Sequence, residues 1–148
     1  MKEIYLSGDH AGFELKEKMK NFLDSKKIIY KDFGPKRYNK EDDYPDFILP
    51  MIKSFNRKKN VGLIFAGSGE GEAILANKFN GIRASVYYGK NSKIPKLARE
   101  HNDSNILCIG AFFVNEKEAK IAITSFIKTR FLAGRHKRRL RKIDKFGS

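Results

Sequence analysis

The stretch Val61-Gly-Leu-Ile-Phe-Ala-Gly-Ser-Gly-Glu-Gly-Glu-Ala-Ile-Leu-Ala-Asn-Lys78 decides how this chain folds. An apolar run, Val61 to Ala66, stops at three alternating glycines, Gly67, Gly69 and Gly71, and a helix-forming segment begins at once. A strand feeding a glycine-rich turn at a helix N-terminus exposes backbone N–H groups beside the positive end of that helix. It therefore favours an anion or a developing oxyanion. Glu72 stands at the start of the helix, where its carboxylate faces whatever the loop holds. The plainer reading is a tight turn that needs glycine only for its backbone shape. No Gly-Lys-Ser/Thr follows, so this is not a nucleotide-binding P-loop. Gly-x-Gly-x-Gly after a third strand is also a poor dinucleotide fingerprint.

Outward from this stretch the same alternation repeats. Ile4 to Leu6 reads as a strand ending at Gly8. Phe13 to Leu23 follows, with Leu15, Met19, Phe22 and Leu23 at helical spacing. Ile28 to Phe33 is a second strand closed by Gly34-Pro35. Phe47 to Phe55 is helical, with Ile48, Met51, Ile52 and Phe55 on one face. After the glycine loop come a helix over Gly71 to Phe79, a strand over Ile82 to Tyr88 and a helix over Lys93 to His101. A strand over Ile106 to Gly110, a helix over Glu116 to Phe131 and a basic helix over Arg135 to Lys145 complete the pattern. In the last of these, Leu140 and Ile143 are expected to face inward. Gly147-Ser148 reads as a frayed end.

Strands alternating with helices predict an α/β protein. The expected form is a single-domain, Rossmann-like three-layer fold over residues 1–148, a five-stranded parallel sheet with helices on both faces. Ligands of such sheets bind at the C-terminal strand ends. The polar clusters Asp9-His10, Gly67 to Gly71 and His101-Asn102 are expected there.

Composition narrows the setting. At 148 residues, 41% hydrophobic and 12% aromatic, the chain can pack one core and is not disordered. No apolar run approaches the roughly 20 residues of a membrane helix. The N-terminus enters a strand with no signal peptide, and one cysteine forms no internal disulfide, so the cytoplasm is expected. A net charge of +14 suits anionic partners, whether nucleic acid, an anionic surface or a small phosphorylated ligand. Its densest block is Arg135-His-Lys-Arg-Arg-Leu-Arg-Lys142. Arg135 and Arg139 lie four apart, on one helical face, and two guanidiniums suit a phosphate. The plainer reading is a solvated basic tail. Asp9 has a plain reading as a helix cap, and Arg99 to Asn105 as a surface loop. Cys108, between Leu107 and Ile109, reads as a core residue and not a nucleophile. Tyr44 either touches a ligand or packs.

Taken in order, Gly8-Asp-His-Ala-Gly12, Asp43-Tyr-Pro45, Gly67-Ser-Gly-Glu-Gly71, Ala76-Asn-Lys78, Gly81-Ile-Arg-Ala84, Arg99-Glu-His-Asn-Asp103 and Gly134-Arg-His136 cover nearly the whole chain. In these motifs it resembles the ribose-5-phosphate isomerase B family, which includes galactose-6-phosphate isomerase subunits. The resemblance implies an aldose-ketose isomerase of a phosphorylated sugar that works without metal or cofactor. It also implies a homodimer with composite active sites, or a tetramer. Some members use a cysteine base just before the glycine loop, where this chain has Ala66. Others use a glutamate at the start of the next helix, here Glu72. By the same resemblance, Ser68 and the amides of Gly67, Gly69 and Gly71 stabilise an enediolate, and His101 assists ring opening. Asp9 and Asn102 position sugar hydroxyls, and His10, Arg135 and Arg139 hold the phosphate, while Tyr44 remains either a substrate contact or a packing residue.

Two departures bear on the substrate. The family commonly has arginine two residues after the glycine ending the fifth strand, where this chain has Phe112. The segment between Ala84 and Arg99 is about two residues longer than usual, counted by motif spacing. The leading expectation is interconversion of ribose 5-phosphate and ribulose 5-phosphate. The alternatives are a hexose 6-phosphate substrate (galactose or allose 6-phosphate), or a non-catalytic module whose basic tail grips nucleic acid. No nucleic-acid-binding motif supports the last.

Overall fold

The computed structural model of the chain describes residues 2–146, so the Gly147-Ser148 end lies outside the described residues. Five parallel strands form one sheet: β1 (Glu3–Gly8), β2 (Tyr30–Asp32), β3 (Asn60–Ala66), β4 (Ala84–Tyr87) and β5 (Ile106–Gly110). Their order is β2-β1-β3-β5-β4. The register pairs Gly8 with Phe65 and Ala66 with Gly110, which brings the C-terminal ends of β1, β3 and β5 level.

The connections are α1 (Phe13–Ser25), α2 (Pro45–Ser54), α3 (Glu70–Ala76) and α4 (Lys93–Asn102), and α5 (Glu116–Lys128) and α6 (Arg135–Asp144) follow β5. The steps β1 to β2 and β4 to β5 run one way along the sheet; β2 to β3 and β3 to β4 run the other. With crossovers of one hand, opposite directions put their helices on opposite faces. Two cores result. Leu15, Met19 and Leu23 of α1, Ala98 of α4 and Ala119, Ile123 and Phe126 of α5 pack on one face of the sheet. Ile48, Met51 and Ile52 of α2 and Ala73 and Ala76 of α3 pack on the other.

Local chemistry sets the ends of these elements. α5 opens with a capping box: Glu118 N–H donates to Asn115 Oδ1 at 2.8 Å, and Asn115 N–H reaches back to Glu118. Pro45 sits in the first turn of α2, where its missing N–H costs nothing. Gly12 crosses β3 so closely that a Cβ there would stand 2.0 Å from the carbonyl of Phe65, so no other residue fits without moving backbone.

Several expected boundaries shrink. The strand expected over Ile28 to Phe33 is only Tyr30–Asp32; it is an edge strand bonded to β1 alone, and Ile29 is exposed. The helix after the glycine loop starts one residue earlier than expected and ends at Ala76, and α5 ends at Lys128. In α6 Leu140 is buried as expected, but Ile143 is exposed. A ten-residue helix lying on one neighbour can cover only a narrow stripe.

Candidate active site

At the β1/β3 junction the chain leaves one strand toward α1 and the other toward α3. The two loops diverge to opposite faces and open a crevice between them, the usual ligand position in such sheets. Asp9 and Glu72 stand in it, 7% and 5% exposed. Asp9 Oδ1 accepts the Ala11 N–H at 3.0 Å, so its capping role is real and coexists with its place at the crevice. Gly69, at φ +86°, takes the left-handed turn that starts α3, and Ser68 Oγ accepts the Glu70 N–H. Glu72 is thereby fixed in the first turn of α3.

Burial pushes the Glu72 carboxyl pKa up, its own backbone N–H pulls it down, and the charge of Asp9 pushes it up again; the net direction is upward. Burial thus outweighs the amide at the helix terminus. Asp9 is also raised, by burial first, against the pull of His10 and the amides of Gly12 and Ala11 and with a further push from Asp42. Two buried carboxyls with raised pKa values in one crevice are the kind of perturbation that clusters at functional sites. Cys108 lies behind the loop, its Cβ 3.2 Å from where a side chain on Gly69 would start. Burial, then the charges of Glu72 and Glu70, push its thiol far above the usual range, so it stays protonated core.

Of the two readings of Tyr44, the structure shows packing. Its ring packs against the α2/α3 core, and its hydroxyl lies 2.8 Å from where a Cβ on Gly71 would stand. The α2 helix that carries it is tied to β1 by the Ser7 hydroxyl, which donates to the Phe47 carbonyl at 2.9 Å. His10 is half exposed at the mouth, with Nδ1 2.6 Å from Asp42 Oδ1 and the Tyr38 ring edge-on at 6.3 Å. The ring of Phe112 lies across Gly67, where a Cβ would meet its Cε2 at 2.6 Å. It is 72% exposed, so the usual arginine position carries an apolar rim.

The remaining expected site residues are elsewhere, which corrects the expectation that all polar clusters share the C-terminal strand ends. Helices of a parallel sheet run against the strands. The C-terminus of α4 therefore lies at the N-terminal strand ends, a strand length of about 20 Å from the glycine loop. There His101 stacks on His136, ring centroids 4.4 Å apart and 14° from parallel. Asn102, Arg135 and Arg139 are exposed beside them. His136 was not singled out as a site residue, although the Gly134-Arg-His136 motif contained it. Its pKa is lowered by partial burial, His101 and the two arginines.

Ion pairs between largely buried arginines and more exposed carboxylates fix this second cluster. Arg99 bonds Asp103 at 3.1 Å, the Thr129 carbonyl at 3.2 Å and the Ser104 carbonyl. Arg83 reaches Asp103 at 3.4 Å and Asp144 at 3.0 Å, tying α6 to the sheet edge. The expected site residues thus fall in two clusters at opposite ends of the sheet.

The sequence pattern of the family described as Ribose/Galactose Isomerase matches residues 4–143. The chain belongs to this family. Among isomerases of known name, a probable ribose-5-phosphate isomerase B of Mycoplasma genitalium is 34% identical over 146 residues, 97% of this chain and 94% of that protein. The ribose-5-phosphate isomerase B of Mycobacterium tuberculosis strain H37Rv is 35% identical over 139 residues, 93% of this chain and 85% of that protein. The fold superimposes on ribose 5-phosphate isomerase B of Thermotoga maritima with a TM-score of 0.89 at 37% identity, covering 97% of this chain and 98% of the other. The Mycoplasma genitalium isomerase solved with bound ribulose-5-phosphate gives 0.90 at 33% identity, covering 97% and 95%. Phe112 lies over the glycine loop, and Glu72 stands six residues beyond Ala66.

Among the described residues, three donor groups cluster at the crevice mouth, two of them already bonded to each other through His10 Nδ1 and Asp42 Oδ1. Asp9, His10 and Asp42 each offer one atom within 4.8 Å of the others. No helix of the described residues is long and apolar enough to cross a membrane.

Proposed function

We propose that this chain interconverts ribose 5-phosphate and ribulose 5-phosphate, with Glu72 as the base that moves the proton. The observation that carries this reading is the buried Glu72 carboxyl, raised in pKa and held in the β1/β3 crevice beside Asp9. After ring opening, the Glu72 carboxylate takes the proton from C2 of the aldose. The C2–H electron pair becomes the C1–C2 double bond, and the carbonyl electrons move onto O1 as an enediolate. Ser68 and the amides of Gly67, Gly69 and Gly71 stabilise that charge. Glu72 returns the proton to C1, and a proton passes from O2 to O1, leaving the ketose. Asp9 and Tyr44 orient the sugar hydroxyls, and His10 meets the phosphate. The bound ribulose-5-phosphate of the Mycoplasma genitalium relative supports this substrate over a hexose phosphate.

The two clusters motivate a homodimer in which a second copy brings His101, Asn102, Arg135 and Arg139 to the crevice. The second copy's His101 assists ring opening and its arginines complete the phosphate grip. The basic tail that suggested nucleic acid then has a simpler use. A direct isomerisation assay without added metal, comparing ribose 5-phosphate with galactose and allose 6-phosphates, tests the substrate. A clear hexose preference overturns the pentose reading.

Mixing two dead variants tests the composite site. Glu72→Gln and His101→Ala chains, denatured together and refolded in equal amounts, form mixed dimers in half of cases. Each mixed dimer has one intact site, so about a quarter of wild-type activity returns if each site takes one residue from each copy. No recovery, with mixed dimers present, means that each chain holds a complete site.

A further inference from the structure

The acidic run before Tyr44 contributes a residue that the reading above does not use. The segment after β2 turns Asp42 onto His10, where one oxygen, Oδ1, receives both the His10 backbone N–H at 3.0 Å and the ring Nδ1 at 2.6 Å. The Asp42 side chain is only 6% exposed, and its other oxygen is buried with no hydrogen-bond partner among the described residues. A carboxylate so placed has few compensating contacts, and leaving it charged against a neutral ring is costly. The contact is as short as a charge-assisted bond. The charged groups facing His10 all favour its cation: Asp9 on its own loop, and Glu41 and Asp42 on the segment after β2. With Nδ1 committed to Asp42, only Nε2–H remains to donate outward.

We propose that Asp42 is a positioning residue that holds His10 as an imidazolium with Nε2–H directed at the substrate phosphate, and so sets the upper pH limit of substrate binding. This rests on His10 meeting the phosphate, as in the reading above. The imidazole pKa is raised, by the Asp42 bond first, against the opposing effect of partial burial. Asp42 touches no reacting atom, so its removal acts on binding more than on turnover.

The test is Asp42→Asn, which keeps an oxygen acceptor and removes the charge. The chain has three histidines, so the His10 ring can be followed through pH by NMR once assigned with His10→Gln. The expected result is a His10 midpoint lowered by about one unit, which is a tenfold loss of imidazolium above the midpoint. KM for ribose 5-phosphate then rises about tenfold at pH 8 and stays near wild type at pH 6, where the ring is protonated in either protein. Asp42→Glu restores part of the effect. An unmoved midpoint overturns the proposal, as does a moved midpoint with unchanged KM, or a KM raised equally at both pH values. Inorganic phosphate, titrated against the His10 signal, reads the same coupling without turnover. An inactive chain whose phosphate affinity still depends on Asp42 at pH 8 and not at pH 6 keeps this proposal and sinks the substrate reading. Zinc binding at micromolar concentration with loss of the Nδ1 proton signal overturns it in favour of a cation site at Asp9, His10 and Asp42.

Discussion

Glu72→Gln lowers kcat for ribose 5-phosphate by about a thousandfold, within the 10²–10⁴ range of a lost general base, and leaves the fold at least as stable. The two halves of this result have one cause. Glu72 is 5% exposed, and burial dominates its environment. A folded-state pKa raised above the unfolded value means that the folded protein prefers the protonated acid. The stabilisation linked to this group is complete below the unfolded pKa and disappears as pH rises through the folded one. At neutral pH the ionised carboxylate is a liability to the fold, kept in the crevice because a base with raised pKa abstracts a proton better. Glutamine fills the same space without charge, so thermal unfolding at pH 7 occurs at the same or a higher temperature. Glu72→Asp keeps the charge but withdraws it by one methylene, and also loses most turnover. Wild-type kcat in Glu72→Gln sinks the proposed base. A large fall in melting temperature instead attributes the lost activity to misfolding.

The physical reasons why some features were legible and others hidden are specific. β3 and β5 are buried on both faces, so Val61 to Ala66 and Ile106 to Gly110 read as unbroken apolar runs. β2 borders one strand only, and its outer residues carry no such signal. The order β2-β1-β3-β5-β4 depends on long-range pairing. The place of His101 does not depend on that order: it lies at the end of the helix just before Ile106, and in a parallel sheet such a residue lies at the N-terminal strand ends, so the expectation that grouped it with the glycine loop overlooked a legible signal. The motifs identified Glu72, Asp9 and His10 as site residues, and the structure gathers them. They also pointed to Arg135 and Arg139, which the structure places at the far end. Asp42 was hidden because three acids in a row, Glu41 to Asp43, read as a solvated turn. Only the fold shows that the middle one is buried against an imidazole. The direction of the Glu72 shift was equally closed to the sequence, since burial and a helix terminus oppose each other and only coordinates weigh them.

Asp32→Asn costs about 3 kcal/mol of folding stability, the usual result of removing one partner from a buried ion pair. The other partner, Lys16, is fully buried in α1. Its ammonium reaches Asp32 Oδ2 at 2.6 Å, with weaker contacts to the Pro35 carbonyl at 3.3 Å, Glu17 at 3.5 Å and the Phe13 ring at 5.5 Å. Lys20 adds a second, more exposed contact to Asp32 at 3.1 Å. Burial alone raises the Asp32 pKa, but the bonds from Lys16 and the Gly34 amide, with Lys16 and Lys20 charge, outweigh it and hold it below the usual range. A depressed pKa gives stability that is present above the unfolded value, about 3.9, and lost as pH falls through the folded one. Urea midpoints of the wild type therefore fall in acid, and those of Asp32→Asn fall less. The double variant Lys16→Met with Asp32→Asn regains most of the loss, since an apolar stem needs no counter-charge. A single-variant cost below about 0.5 kcal/mol, the scale of ordinary surface changes, means the pair is not a stabilising unit. The consequence reaches the active site. Asp32 accepts the Gly34 N–H at 2.8 Å and Lys16 holds the Pro35 carbonyl, so this pair anchors the start of the segment that delivers Asp42 to His10 and Tyr44 to Gly71. Loosening it raises KM at urea concentrations too low to unfold the protein, whereas the Lys16→Met, Asp32→Asn double variant, which keeps an acceptor for the Gly34 N–H but lacks the Lys16 bond to the Pro35 carbonyl, keeps a raised KM even with its stability restored.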